Sequence, residues 1–225
     1  MRILSLECSA KAASAAVFEE TKLLAEEFNA DGKTHSETLM PSAKNVLDKA
    51  GLKFSDIDIF AITNGPGSFT GLRIGLAAVK GLAFLDKKVI TLSTLEVMAE
   101  AFRETQEKVT VLCLMDARAG QFYTALFEAG KGEVTRLSED AALKGEEIIE
   151  QLKEYSNVVA AGDGAKLFCE RFGGVKLSDV YQNATLVGKL ALRNLDKAED
   201  AEKAQVNYLR KSQAEREREA RLQNK

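Results

Sequence analysis

The chain has 225 residues, of which 45% are apolar and 29% charged, with a net charge of −3. That composition belongs to a folded protein with a sizeable core, and it excludes a disordered chain or a free-standing basic nucleic-acid binder. The longest nearly apolar run, 74–85, is 12 residues and holds Lys80, too short to cross a bilayer, and Glu7 cuts the N-terminal apolar stretch below signal-peptide length.

Three strand-like runs open the chain, over 2–8, 13–18 and 22–28, with small or polar residues at the turns. Leu39, Met40, Ala43, Val46, Leu47 and Ala50 then recur at three and four. That period predicts a helix closed by Gly51, with Thr34 and Glu37 as a capping box. Pro41 falls inside the helix, where its missing donor is expected to kink it. A strand over 57–63, a glycine turn, a helix over about 68–85, a strand over 89–92 and a helix over 94–102 complete the first half. The second half has strands over 109–115, 122–127 and 133–137, then a helix holding Ile148, Ile149 and Leu152. A strand over 158–161 and the turn Gly162-Asp163-Gly164 follow, then a helix with Leu167, Phe168 and Phe172 and another over 184–195. Both halves read β-β-β-α-β-α, which implies two mixed sheets flanked by helices and joined near 100–108. The last 30 residues, with eight basic and seven acidic side chains, read as a solvated helix or frayed tail.

Cys8, Cys113 and Cys169 make no CxxC pair, so they read as reduced thiols in a cytoplasmic chain. The single histidine, His35, excludes histidine-pair metal sites and Cys/His zinc clusters, and with no GxSxG elbow beside it argues against hydrolase chemistry. The stretch 64–75, Asn-Gly-Pro-Gly-Ser-Phe-Thr-Gly-Leu-Arg-Ile-Gly, follows a strand and opens a helix, where backbone amides can hold an anion. It is neither a Walker A loop nor a GxGxxG fingerprint, and Gly32-Lys33-Thr34 has Glu27 where a Walker A loop needs its first glycine. A tight turn before a close-packed helix is the other reading. Gly71, Gly75 and Ala78 share one face, and each interior glycine costs about 1 kcal/mol relative to alanine. That face is expected to meet a partner helix, so that Gly75→Leu would weaken pairing and leave the monomer folded. Glu7 and Asp116 end a strand in each half.

Gly65-Pro66-Gly67-Ser68-Phe69-Thr70-Gly71-Leu72-Arg73-Ile74-Gly75 resembles the hallmark stretch of the TsaB (YeaZ) family of bacterial tRNA threonylcarbamoyladenosine synthesis. His35-Ser36-Glu37-Thr38-Leu39-Met40-Pro41 is similar to its first-helix motif. Leu114-Met115-Asp116-Ala117-Arg118 and Asn207-Tyr208-Leu209-Arg210 are similar to later landmarks, so the likeness spans about residues 2–211. It implies an actin-like fold of the sugar-kinase type, with lobes at 1–105 and 106–211 and a charged helical or disordered tail at 212–225. It also implies a non-catalytic scaffold that dimerises with and activates TsaD, with the ATPase TsaE as a further partner and a homodimer when TsaD is absent. The implied interface comprises His35, Ser36, Glu37, Leu39 and Pro41 with Gly65, Pro66, Gly67, Ser68, Phe69, Thr70, Gly71, Arg73, Gly75 and Ala78. ATP and metal would belong to the partner subunits, no cofactor or metal to this chain alone, and tRNA would be met through the complex. Glu7-Cys8-Ser9-Ala10 departs from the Asp-x-Gly phosphate loop of ATP-binding relatives, so Glu7 and Asp116 read as vestigial phosphate-loop positions. A stand-alone actin-like phosphotransferase, or an endopeptidase, is the alternative.

Overall fold

The computed structural model describes residues 1–84 and 86–210; the tail expected at 212–225 lies outside them. The first hairpin meander forms as its alternation predicts: β1 (Arg2–Glu7), β2 (Ala13–Glu19) and β3 (Lys22–Asn29) are antiparallel. Helix α1 (His35–Ala50) buries Leu39, Ala43, Val46 and Leu47 and ends on Gly51 at φ 70°. At its start the Thr34 amide donates to Glu37 Oε2 at 3.1 Å, the Glu37 half of the predicted capping box. The helix is unbroken across Pro41, whose exposed position leaves the unpaired carbonyl one turn back within reach of solvent. Then come β4 (Ile59–Gly65), α2 (Phe69–Leu82), β5 (Lys88–Ser93) and α3 (Thr94–Ala99). Sheet order is β5-β4-β1-β2-β3, with β4 and β5 parallel to β1.

The second sheet repeats this plan. β6 (Val109–Asp116) and β7 (Gln121–Gly130) form the hairpin. The third strand expected at 133–137 is instead two short pieces that share one edge of β7. β8 (Glu133–Arg136) pairs with Phe127–Gly130, and β9 (Ala141–Lys144) pairs with Gln121–Thr124. Between them Leu126 bonds outward to Leu137, Ser138 and the Ser138 hydroxyl, which takes up the ladder where the strand breaks. Helix α4 (Gly145–Leu152), β10 (Val158–Ala161), α5 (Ala165–Phe172), β11 (Lys176–Leu177) and α6 (Ala184–Arg193) follow. β10 and β11 run parallel to β6, as β4 and β5 do to β1. The two-residue β11 thus completes the match with β5 that the sequence left open.

Helix α6 packs against the other half's sheet, and α3 lies between the two sheets, with Val97 in the core of the first. Leu95, Met98 and Ala99 of α3 join Val111, Cys113 and Phe127 of the second sheet. Leu186, Val187, Leu190 and Ala191 of α6 join Ile3, Phe18, Ala61 and Ile90 of the first. After α6 the chain adds β12 (Glu199–Asp200) to the free edge of β5. The segment read as the end of the second lobe therefore builds the first one. Outside these inner layers, α1 and α2 cover the far face of the first sheet and α4 and α5 that of the second.

Candidate functional site

The hallmark stretch joins β4 to α2, and its glycines are explained from inside the molecule. The β1–β2 turn lies under α2 at backbone contact. A Cβ on Gly71 would stand 2.1 Å from the Cys8 carbonyl oxygen, one on Gly67 2.5 Å from that of Ser9, and one on Gly75 2.5 Å from Cys8 Sγ and Ile62 Cδ1. Gly65, at φ +126°, leaves room for the Asn207 carbonyl 2.4 Å from where its Cβ would be. Gly71 and Gly75 are buried with Leu72, Leu76 and Val79. The glycine face expected to meet a partner is thus internal, because β1 needs that space. A leucine at Gly75 would clash within the monomer.

Part of the helix start that could hold an anion is already bonded within the molecule. The Ser68 amide already donates to the Ser9 carbonyl at 2.6 Å, and the Gly71 amide donates to Ser68 Oγ at 3.3 Å. His35 Nε2 donates to the Ala10 carbonyl at 2.7 Å, while its Nδ1 is buried without a hydrogen-bond partner among the described residues. The β1–β2 turn thus packs against the start of α2 and against His35 through its Ser9 and Ala10 carbonyls.

Carboxylates gather at the carboxyl ends of the strands. Glu7 is 1% exposed and accepts from the Ser9 amide at 2.8 Å and the Thr63 hydroxyl at 3.2 Å. Burial pushes its carboxyl above the usual range, those hydrogen bonds pull it back, and the charge of Asp163 pushes it further up. Asp116 accepts from the Arg118 amide at 2.8 Å. Asp163 is brought to Asp116 because Gly164 packs against the backbone of Met115 and Asp116, with no space for a Cβ. Its side chain is open to solvent, yet protein crowds the crevice around it. Its carboxyl is pushed up to about 6, first by thin solvation and then by Asp116, while the amide of buried Gln182 and the charge of Lys11 oppose the rise. No three Asp, Glu, His or Cys among the described residues are placed to hold a metal ion. Asp163 and Gln182 were not among the residues expected from sequence. The Gly-Asp-Gly turn was the available signal, and nothing nearby in sequence marks Gln182.

What remains outward on α1 and α2 is a different set. Ser36, Glu37 and Pro41 of α1 are exposed, as are Thr70, Arg73, Ala77 and Gly81 of α2 and the capping Ser68. Met40, Ile74 and Ala78 are half-buried beside them, whereas Leu39 lies in the core and Pro66 is buried. Phe69 stacks on Tyr208 with ring centres 4.2 Å apart, and Arg73 Nε donates to the Tyr208 hydroxyl at 2.7 Å.

Two lobes, each a hairpin meander continued by parallel strands and facing a cleft lined with strand-end carboxylates, define an actin-like chain. The family model described as TsaD, tRNA N6-adenosine threonylcarbamoyltransferase, matches residues 22–211. The tRNA threonylcarbamoyladenosine biosynthesis protein TsaB of Escherichia coli K12 is 32% identical over 167 residues, covering 73% of this chain and 72% of that one. The protein of the same description from Bacillus subtilis 168 is 31% identical over 155 residues, covering 68% and 67%. The solved structure described as YeaZ from Pseudomonas aeruginosa superposes with a TM-score of 0.82 at 28% identity, over 92% of this chain and 99% of that one. The chain belongs to the group that the TsaD model describes and, within it, to the TsaB family.

Proposed function

We propose that this chain is a non-catalytic subunit of tRNA threonylcarbamoyladenosine synthesis in the cytoplasm. It acts by pairing the outward faces of α1 and α2 with a TsaD-type partner, and with its own copy when that partner is absent. TsaE joins as the ATPase, and tRNA is met through the assembly. The family relationship supports the process. The observation that carries the non-catalytic role is the β1–β2 turn, which departs from the Asp-x-Gly phosphate loop of ATP-binding relatives and packs its Ser9 and Ala10 carbonyls against Ser68 and His35. Asp116 and Asp163 add like charge where phosphates would sit.

The pairing face is Met40 and Pro41 beside Thr70, Ile74, Ala77, Ala78 and Gly81, small and apolar side chains that let a partner helix approach closely. Ala77→Arg is exposed in the monomer, so stability should stay within about 0.5 kcal/mol. Co-elution with a TsaD-type transferase, and modification in a reconstituted reaction, should fall tenfold or more, a loss of at least about 1.4 kcal/mol. Unchanged pairing in Ala77→Arg places the interface elsewhere. The isolated chain should show no saturable magnesium-dependent ATP turnover; turnover abolished by Glu7→Ala or Asp116→Ala would make it an enzyme in its own right.

A further inference from the structure

We propose that residues 204–210 form a strap that couples the β6–β7 turn of the second lobe to helix α2 of the first, so that the angle between the lobes and the setting of α2 change together. The segment runs antiparallel to α2. At the far end Lys80 Nζ donates to the Glu202 carbonyl at 3.2 Å, and Ala204 is fully buried in the α1–α2 core. Midway, Asn64 Nδ2 donates to the Gln205 carbonyl at 3.2 Å and the Asn207 amide to the Asn64 carbonyl at 2.8 Å. Tyr208 then stacks on Phe69 and takes the Arg73 hydrogen bond at the start of α2. Finally Arg210 Nη1 donates to the Ala117 carbonyl at 2.7 Å, across the lobes. Tyr123 of β7 lines one narrow crevice together with Leu72, Tyr208 and Leu209.

Six residues from Glu202 to Tyr208 can span at most about 20 Å, while the 11 residues from Lys80 back to Phe69 cover about 16 Å of helix. Little slack is left, so a displacement of Ala117 is carried to Tyr208 and α2 rather than absorbed. The turn at the other end is bound to the cleft. Asp116 Oδ1 holds the Arg118 amide, and the Ala117 amide donates to the Gln121 carbonyl. Helix α3 joins the two sheets through their cores; the strap joins them at the carboxyl ends of β4 and β6, beside Asp116.

Hydrogen exchange of the intact chain by mass spectrometry tests this. Arg210→Ala should raise exchange at least fivefold both at 117–121 and at 69–75, in opposite lobes, while the β2–β3 and β7–β8 hairpins keep wild-type rates. Arg210→Lys keeps a donor and should stay within twofold of wild type. Tyr208→Ala should reproduce the same two-lobe pattern from the other end. A rise confined to 204–210 or to one lobe, or shared by every segment, overturns the coupling, as does a Tyr208→Ala chain whose 117–121 amides exchange at the wild-type rate. Partner binding plays no part in this readout, so it stands or falls apart from the pairing reading above.

Discussion

One methyl group separates the two faces of α2. Gly71→Ala would press a Cβ into the Cys8 carbonyl oxygen, a backbone atom that cannot rotate away. Overpacking of this kind costs about 1–3 kcal/mol, so the urea midpoint should drop clearly. Gly75→Ala should cost less, since Cys8 Sγ and the Ile62 δ-methyl can turn aside. Equal loss in the two variants would contradict this contact geometry. The letters of the hallmark stretch announce a tight turn and a close approach but not its direction, because 71, 75 and 78 share an arc whether it meets β1 or a partner. Leu72, Leu76 and Val79 on the adjoining arc were the usable sign that it points inward. The raised acids act through protons. Asp163 holds its proton up to about 6 when folded, against an ordinary value of 3.8. The folded state therefore binds the proton more tightly, and stability present below about pH 4 is lost as pH rises toward 6. Asp163→Asn should flatten that decline in denaturation midpoints taken from pH 4 to 6. Glu7, also raised, shifts the same way: Glu7→Gln keeps the acceptor for the Ser9 amide and should be at least as stable as wild type at pH 7.5. A Glu7→Gln chain less stable than wild type at that pH would show that the buried charge is compensated.

The packing of α6 on the first sheet, and of α3 between the two, decides what can fold alone. Periodicity located the six helices of the described residues, since each needs only its own apolar spacing, but which sheet a helix covers is a long-range choice that spacing does not carry. The two-residue strands β11 and β12 are too short to show alternation, and β9 is hidden because one edge of β7 is shared by two fragments. A fragment of residues 1–105, the first lobe as drawn from sequence, lacks α6 and would bare Ile3, Phe18, Ala61 and Ile90. Losing Leu186, Val187 and Leu190 removes about 1.5–3 kcal/mol of burial each, comparable with a whole domain's stability of about 5–15 kcal/mol. The fragment should show no cooperative unfolding by circular dichroism. In the intact chain Leu190→Ala should cost about 2–5 kcal/mol. A cooperatively folding 1–105 fragment would mean that α6 is dispensable to the first sheet.

At the scale of the whole molecule, charge and shape assign different tasks to different surfaces. Glu7, Asp116 and Asp163 converge at the strand ends, and the whole chain carries a net charge of −3. Affinity for RNA comes largely from counterions released by basic side chains, and a chain without basic excess has few to release. Residues 211–225 run the other way, with five basic and three acidic side chains, but so small an excess neutralises only a phosphate or two. Non-specific binding at physiological salt spans about 10⁻⁴ to 10⁻⁶ M for basic proteins, and this chain should fall at or beyond the weak end. Fluorescence anisotropy with labelled tRNA at 0.15 M salt should therefore give no saturation below about 100 µM, and removal of 211–225 should change little. Adding a TsaD-type partner should bring the labelled tRNA into a complex that contains this chain, and Ala77→Arg should release the chain from that complex while leaving the partner on the RNA. Submicromolar binding by the chain alone would place an RNA surface on it and overturn the division of labour, since steering by its own charge could not produce it.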